Sequence, residues 1–147
     1  MSNQTIAQQR AKHALAIVCG GEGRVSTAFT KKGPEQQKKL NSYIASLGPM
    51  ILMNGLGQAA AFYRSNKEEH VLVYTALEEW LSEPGRPYAG KSNLMEAITN
   101  SDINEYRFAQ MEALAYLDWL KKFGKAFLKR EEDSATEIAE ASEEGDK

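Results

Sequence analysis

The apolar residues of this chain recur with the spacing of α-helices, and this pattern constrains the fold more than any other feature. No segment alternates apolar and polar residues as a half-buried strand does, and the most strand-like run, residues 70–74, continues directly into helix formers. With 147 residues, of which 42% are hydrophobic, the chain can bury one ordinary core. We therefore predict an all-α fold: a single-domain helical bundle of about five to six helices over residues 1–130, with a long C-terminal helix.

Glycine, proline and capping residues divide the pattern into separate helices. The predicted helices cover residues 5–19, 34–47, 49–64, 68–81, 94–98 and 102–130, and residues 22–33 are predicted to form a loop. The third helix is apolar on most of its circumference, so we expect it to be the most buried. The last helix carries a continuous apolar stripe and is expected to form the spine of the bundle.

Electric charge is distributed unevenly along the chain. Residues 131–147 hold eight carboxylates and one lysine, whereas residues 1–130 hold 17 Lys and Arg against 12 Asp and Glu. The acidic segment contains a single branched aliphatic residue, Ile138, so we predict a mostly disordered tail. The positive excess of the remainder is compatible with an anionic partner.

No sequence signal directs this chain to a membrane or to secretion. Its longest apolar runs are a few residues, short of the ~20 needed to cross a bilayer, and residues 1–5 lack the basic and apolar blocks of a secretory signal. The single cysteine, Cys19, cannot form an internal disulfide and is interpreted as a small core residue, which suits a reducing compartment. We expect a cytoplasmic protein.

Patterns that would support catalysis or metal binding are missing from the sequence. Neither His13 nor His70 has a glutamate three residues before it, and neither His-Glu-x-x-His nor Cys-x-x-Cys occurs. Nucleophilic catalysis through Cys19 would need a base beside it, but His13, six residues earlier, points to a different face of the same helix. We predict no catalytic residue, no metal site and no cofactor.

Two glycines, Gly55 and Gly57, lie inside the apolar pattern of the third predicted helix. A phosphate-binding loop would follow a strand and open a helix, so we interpret these glycines instead as positions where a neighbouring helix or ring approaches closely. The amides of Asn54 and Gln58 flank them. On a buried helix these amides would need hydrogen-bond partners within the structure or at an interface.

Basic residues are concentrated in two segments of the chain. The first holds Lys31, Lys32, Lys38 and Lys39, and the second holds Lys121, Lys122, Lys125, Lys129 and Arg130. Cations at the end of a helix are stabilised by its dipole, and the same cations would bind the phosphates of a polyanion independently of base sequence. Both interpretations are open at this point. The aromatic residues Trp80, Tyr116 and Trp119 could stack on bases, but their helical spacing favours core packing.

Several segments, taken in order, resemble the small helical subunit of the type III-B CRISPR effector, the Cmr complex. They are residues 51–62 (ILMNGLGQAAAF), 77–81 (LEEWL), 105–107 (EYR), 112–114 (EAL) and 119–123 (WLKKF), and residues 10–12 (RAK) are also similar. The resemblance covers most of residues 6–128. The loop 22–33 and the acidic tail have no counterpart in it.

The resemblance implies a non-catalytic structural subunit of an RNA-targeting complex in antiviral defence. Several copies would stack along the crRNA and target RNA ribonucleoprotein, contact other Cmr subunits, and stabilise target RNA through phosphate contacts. The matching basic positions, which we expect to include RNA contacts, are Arg10, Lys12, Arg64, Lys121, Lys122 and Lys125. Arg107 equally fits an ion pair with Glu105 or Glu112.

Other interpretations of the sequence are open. The chain could be an adaptor that binds protein only, or a small helical enzyme of unknown type. The tail could serve solubility, or it could mimic nucleic acid and occupy the basic surface of the free protein.

Overall fold

A computed structural model describes residues 3–21 and 23–130, and these residues form α-helices and short turns without a β-strand. The helices are α1 (Ile6–Cys19), α2 (Pro34–Asn54), α3 (Leu56–Arg64), α4 (Glu68–Leu81), α5 (Leu94–Asn100) and α6 (Ile103–Phe127). The predicted all-α class and the long C-terminal helix are confirmed. The acidic tail, residues 131–147, lies outside the described residues, so its predicted disorder stays a prediction.

Side-chain caps fix the starts of three helices where the sequence predicted them. Thr5 and Gln8 form a reciprocal capping box at the start of α1, each side chain accepting the backbone N–H of the other residue. Asn93 and Asp102 open α5 and α6, each accepting the N–H of the residue three positions on. Each cap gives a partner to an N–H that a helix start otherwise leaves unsatisfied.

Helix α6 is the spine of the bundle, as predicted, and packs against α1, α2 and α4. Its buried face includes Tyr116 and Leu120, which are fully buried. Trp80 of α4 is also buried and stacks on Tyr116, so the predicted core role of these two aromatic rings is confirmed. The helix ends at Phe127, three residues earlier than predicted, and the Phe127 side chain is half exposed rather than part of the buried stripe.

The predicted boundary between the second and third helices is wrong. Helix α2 continues through Pro49 and ends at Gly55, which has φ +88° and ψ 158°. This backbone conformation is nearly restricted to glycine, whereas a proline within a helix costs about 3 kcal/mol without necessarily ending it. The chain therefore turns at Gly55 instead of at Gly48.

Two side chains of α6 cap the start of α3. Gln110 Oε1 accepts the N–H of Leu56 at 2.9 Å, and the Tyr106 hydroxyl oxygen accepts the N–H of Gly57 at 2.9 Å. A Cβ atom on Gly55 would lie 3.1 Å from that hydroxyl oxygen. The predicted close approach at the glycines is thus confirmed, but the two glycines mark a helix start and not a helix interior.

The expectation that residues 49–64 form the most buried helix is also wrong. Helix α4 buries eight of its 14 residues, whereas Leu52 and Met53 of α2 are 71% and 84% exposed. Asn54 and Gln58 are both exposed, so water can reach both amides, and neither needs a partner within the protein. The turn at Gly55 directs this apolar segment outward.

Residues 23–33 contain two short 3₁₀ turns, Val25–Thr27 and Phe29–Lys31, where the sequence predicted only a loop. Phe29 is buried and belongs to the core. The preceding stop at Gly20, predicted from the glycine pair, is confirmed by its φ of +94°.

Candidate nucleic-acid interface

One end of the bundle is held together by Gln37, in the first turn of α2. Its Nε2 donates to the carbonyl oxygens of Thr30 and Lys32 at 3.1 and 2.8 Å. Its Oε1 accepts the backbone N–H of Lys129, which follows α6, at 3.1 Å. One amide side chain therefore joins segments that are about 90 residues apart in the sequence.

Asn41 lies one turn further along α2 and strengthens the same junction. Its buried Nδ2 donates to the carbonyl oxygens of Gly124 and Lys129 at 3.1 and 3.3 Å. A Cβ atom at Gly124 would lie 3.1 Å from Asn41 Oδ1, so the glycine gives the amide room. The end of α6 is thereby fixed against the start of α2.

The junction brings the two basic segments of the sequence into one surface, which we call the basic end. It consists of Lys31, Lys32, Lys38, Lys39, Lys125, Lys129 and Arg130. The joined segments, residues 30–41 and 124–130, contain one carboxylate, Glu35, which pairs with the buried Lys38 at 3.1 Å. Such an excess of one sign creates a positive potential that attracts anions.

Four cations of the basic end are available to a ligand. They are Lys31, Lys39, Lys125 and Lys129, all exposed. Within residues 3–21 and 23–130 none of the four forms an ion pair. Their amino groups can therefore contact phosphates without first breaking an ion pair with another of the described residues.

Three of the six predicted RNA-contacting residues lie beside or within the basic end. Lys125 belongs to it, and Lys121 and Lys122 lie one turn earlier on α6. Lys122 donates to Asp118 at 2.7 Å, but both side chains are more than 60% exposed, so this pair is weak. Lys121 is half-buried beside a groove between α2 and α6.

The other three predicted residues are not brought to this surface. Lys12 is exposed on α1, and Arg64 is exposed in the last turn of α3. Arg10 donates through Nε and Nη2 to the two carboxylate oxygens of Glu112, at 2.5 and 3.1 Å. Its guanidinium is thus held by a partner within the protein.

Glu112 is the centre of a largely buried cluster that the sequence did not reveal. Besides Arg10, it accepts the Nε1–H of Trp80 at 3.2 Å, and its Oε1 lies 3.8 Å from Arg86 Nη1. The Arg86 guanidinium also lies 5.1 Å from the centre of a Trp80 ring. Glu112 therefore pairs with Arg10 and Arg86, while Arg107 is exposed.

His13 lies next to this cluster as a neutral imidazole. Its Nδ1 is 2.7 Å from the Tyr116 hydroxyl, and burial holds the pKa of Tyr116 well above its usual range, so that hydroxyl keeps its proton. The imidazole Nε2 is 3.9 Å from a carboxylate oxygen of both Glu79 and Glu83. Burial of the imidazole ring lowers the pKa of His13 to about 4, and the positive charge of the nearby Arg24 guanidinium makes a smaller contribution in the same direction.

The pKa of His13 makes the stability of the fold depend on pH. In the unfolded chain His13 binds a proton near its ordinary pKa of 6.5, but the folded chain binds it only near 4. Between these values the unfolded state carries more protons, so stability falls as the pH falls. We expect His13 to remove about 2 kcal/mol of unfolding free energy between pH 7 and pH 5, measured by urea denaturation.

A His13→Gln variant provides the matched comparison. Burial also lowers the pKa of His70, with the same sign, but His70 is present in both proteins and cancels in the difference. The loss between pH 7 and pH 5 is expected to shrink in the variant. Equal losses in the two proteins would show that His13 is not the titrating group.

Neither a metal site nor a membrane-spanning helix is found among the described residues. Within residues 3–21 and 23–130, no group of three His, Cys, Asp or Glu side chains is placed to hold a metal ion. In the same residues no helix is long and apolar enough to pass through a bilayer.

Comparison with known proteins identifies the family. A model of the CRISPR-associated protein family Cas_Cmr5 matches residues 6–127, which include all six helices and exclude the acidic tail. The crystal structure of a CRISPR-associated Cmr5 family protein from Thermus thermophilus is similar with a TM-score of 0.67 and 25% sequence identity, covering 86% of this chain and 100% of that chain. The chain therefore belongs to the CRISPR-associated Cmr5 family and is a small subunit of the type III-B CRISPR effector, the Cmr complex.

Proposed function

We propose that this chain is a non-catalytic subunit that stabilises target RNA in the Cmr complex through phosphate contacts. The contacts would be made by the basic end together with Lys121 and Lys122 on the adjoining turn of α6. The observation that carries the proposal is the junction at Gln37 and Asn41, which unites two basic segments into one surface with a single carboxylate. Arg10, Lys12 and Arg64 lie elsewhere, and their predicted contacts stay predictions.

Exposed lysines can bind RNA molecules of different sequence. An ammonium group on a flexible stem binds a phosphate oxygen without reading a base, so its affinity does not depend on sequence. In a guided effector the guide reads the target by base pairing, and the protein needs only to hold the backbone. The four exposed lysines of the basic end provide this kind of contact.

The described residues support a structural rather than a catalytic role. Burial raises the pKa of the Cys19 thiol, which keeps it in the weakly nucleophilic protonated form. The Nδ1 atom of His13 is occupied by the Tyr116 hydroxyl at 2.7 Å, and the His13 side chain is only 10% exposed. The convergence of His13 with Glu79 and Glu83 thus favours a neutral structural imidazole over a general base.

Exposed apolar side chains support contacts with other Cmr subunits and with further copies of this chain. Phe108 and Met111 of α6 are each about two-thirds exposed and line the same surface groove. Exposed apolar side chains that lie close together are typical of protein interfaces. We include stacking of copies along the ribonucleoprotein in the proposal on this ground.

Neutralising Lys121, Lys122 and Lys125 together, each to Gln, tests the RNA contact. In the assembled complex we expect the slope of log affinity against log salt concentration to become shallower by about two to three units, roughly one per lost phosphate contact. The control removes two exposed cations distant from the basic end, with Lys91→Gln and Arg107→Gln. It is expected to change the slope by less than the triple variant does.

Gel filtration of each variant complex first establishes that the subunit is still incorporated. If the triple variant assembles and the slope equals that of the wild type, these three lysines are not on the RNA path. A chain that acts through protein contacts alone would in addition stay associated with the complex after ribonuclease treatment.

A further inference from the structure

We propose that the acidic segment, residues 131–147, docks on the basic end of its own chain and must be displaced before RNA binds there. The inference rests on the proposed function, because it treats the basic end as the RNA-contacting surface. It assigns to this segment the role of a competing polyanion within the same molecule.

The structure fixes the point at which the acidic segment leaves the fold. Leu128 is buried, the N–H of Lys129 is bonded to Gln37, and the carbonyl of Lys129 is bonded to Asn41. Residue 131 follows two positions later. The segment therefore begins within the basic end itself, and not at an unrelated part of the surface.

The charges of the two surfaces are complementary. The segment carries eight carboxylates in 17 residues, and the first three positions, residues 131–133, are all acidic. The segments that form the basic end carry seven cations and one carboxylate. Opposite charges at this density attract strongly at low salt, and the attraction weakens as the Debye length falls below about 10 Å.

The tether makes this attraction effective although each contact is weak. Seventeen residues span at most about 56 Å when extended, enough to reach every part of the basic end and the preceding turn of α6. A covalent tether of this length holds its end at an effective concentration in the millimolar range. Free RNA must compete with that concentration for the same amino groups.

The segment is not part of the helical unit that the family comparison matched. That match ends at residue 127, so residues 131–147 lie outside it. The proposed competition therefore depends on this chain's own acidic residues and does not follow from the family match.

The docking is tested without RNA by measuring the reactivity of lysines towards an acylating reagent. The test variant converts all eight carboxylates of residues 131–147 to amides, Glu→Gln and Asp→Asn, in the full chain. We expect the reactivity of Lys39, Lys125 and Lys129, read by mass spectrometry, to rise on the order of threefold at low salt. Lys91, exposed on the loop before α5, is the internal reference and should not change.

The competition is tested by the affinity of the free chain for a single-stranded RNA of about 20 nucleotides. Converting the tail carboxylates should raise this affinity about tenfold near 50 mM salt, and the gain should vanish at high salt. The gain should also vanish when Lys39, Lys125 and Lys129 are changed to Gln. It should persist when Lys91 and Arg107 are changed to Gln instead.

The outcomes separate this inference from the proposed function. Unchanged lysine reactivity would overturn the inference whatever the RNA result. Increased reactivity with unchanged RNA affinity would overturn the competition. A gain in affinity that persists without the three lysines would do the same, because it would show a general charge effect. The proposed function is tested separately by the salt slope of the assembled complex carrying the α6 variant.

Discussion

A Glu112→Gln variant is expected to lose about 3 kcal/mol of unfolding free energy in urea denaturation at neutral pH. The carboxylate is 11% exposed and compensates two guanidinium groups, those of Arg10 and Arg86, which are 21% and 14% exposed. Glutamine has almost the same shape but no charge, so both guanidinium groups would stay in the protein without their counter-charge. Removing one partner of a buried ion pair lowers the unfolding free energy by more than the intact pair contributes to it, because the charge that remains is poorly solvated.

The control for this variant is Asp118→Asn, on the same helix. Its carboxylate pairs with Lys122, but the two side chains are 62% and 66% exposed, so water replaces the lost contact. We expect a change below about 0.5 kcal/mol. Losses of similar size in the two variants would show that the cluster around Glu112 is solvated and contributes no more than a surface pair.

A Gly55→Ala variant is expected to lose about 2 to 3 kcal/mol. At φ +88° and ψ 158° an alanine is strained, and its Cβ atom would lie 3.1 Å from the Tyr106 hydroxyl oxygen. Relief of this close contact requires the Tyr106 hydroxyl to shift by a few tenths of an ångström, which weakens its bond to the N–H of Gly57. The turn between α2 and α3 and the cap of α3 would therefore be damaged together.

The same substitution at Gly48 serves as the comparison. Gly48 lies inside α2, and a Cβ atom there would meet nothing within 4 Å. Alanine has the higher helix propensity, so Gly48→Ala is expected to stabilise the protein by up to about 1 kcal/mol. Equal and small effects at both positions would mean that the turn does not depend on the conformation of Gly55.

The parts of the fold that follow local rules could be predicted from the sequence. Asn93 and Asp102 cap the helices that they precede, and Gly20 ends α1, because each acts on residues within one turn. The break at Gly55 could not be predicted in this way. The caps of α3 come from Tyr106 and Gln110, which are 49 and 54 residues away in the sequence, so no local pattern contains them.

The candidate interface was predictable in its parts but not in its arrangement. The two basic segments are evident in the sequence, yet their union depends on Gln37 and Asn41, which are ordinary polar positions in a helical pattern. Arg10 illustrates the reverse case. Its position suggested a surface contact, but its partner Glu112 is 102 residues away, and only the packing of α1 on α6 brings the two together.

The pairing of α1 with α6 has a consequence for how the protein is made. The buried face of the first helix finds its partner only when the last helix has left the ribosome, since Ala14, Ile17 and Val18 belong to the core that α6 completes. Folding driven by contacts so distant in sequence is slowed by the entropy of closing a long loop. Until α6 has been synthesised, the nascent chain therefore exposes the face of α1 that α6 covers and the Trp80 ring that stacks on Tyr116, and apolar surface of this kind favours aggregation.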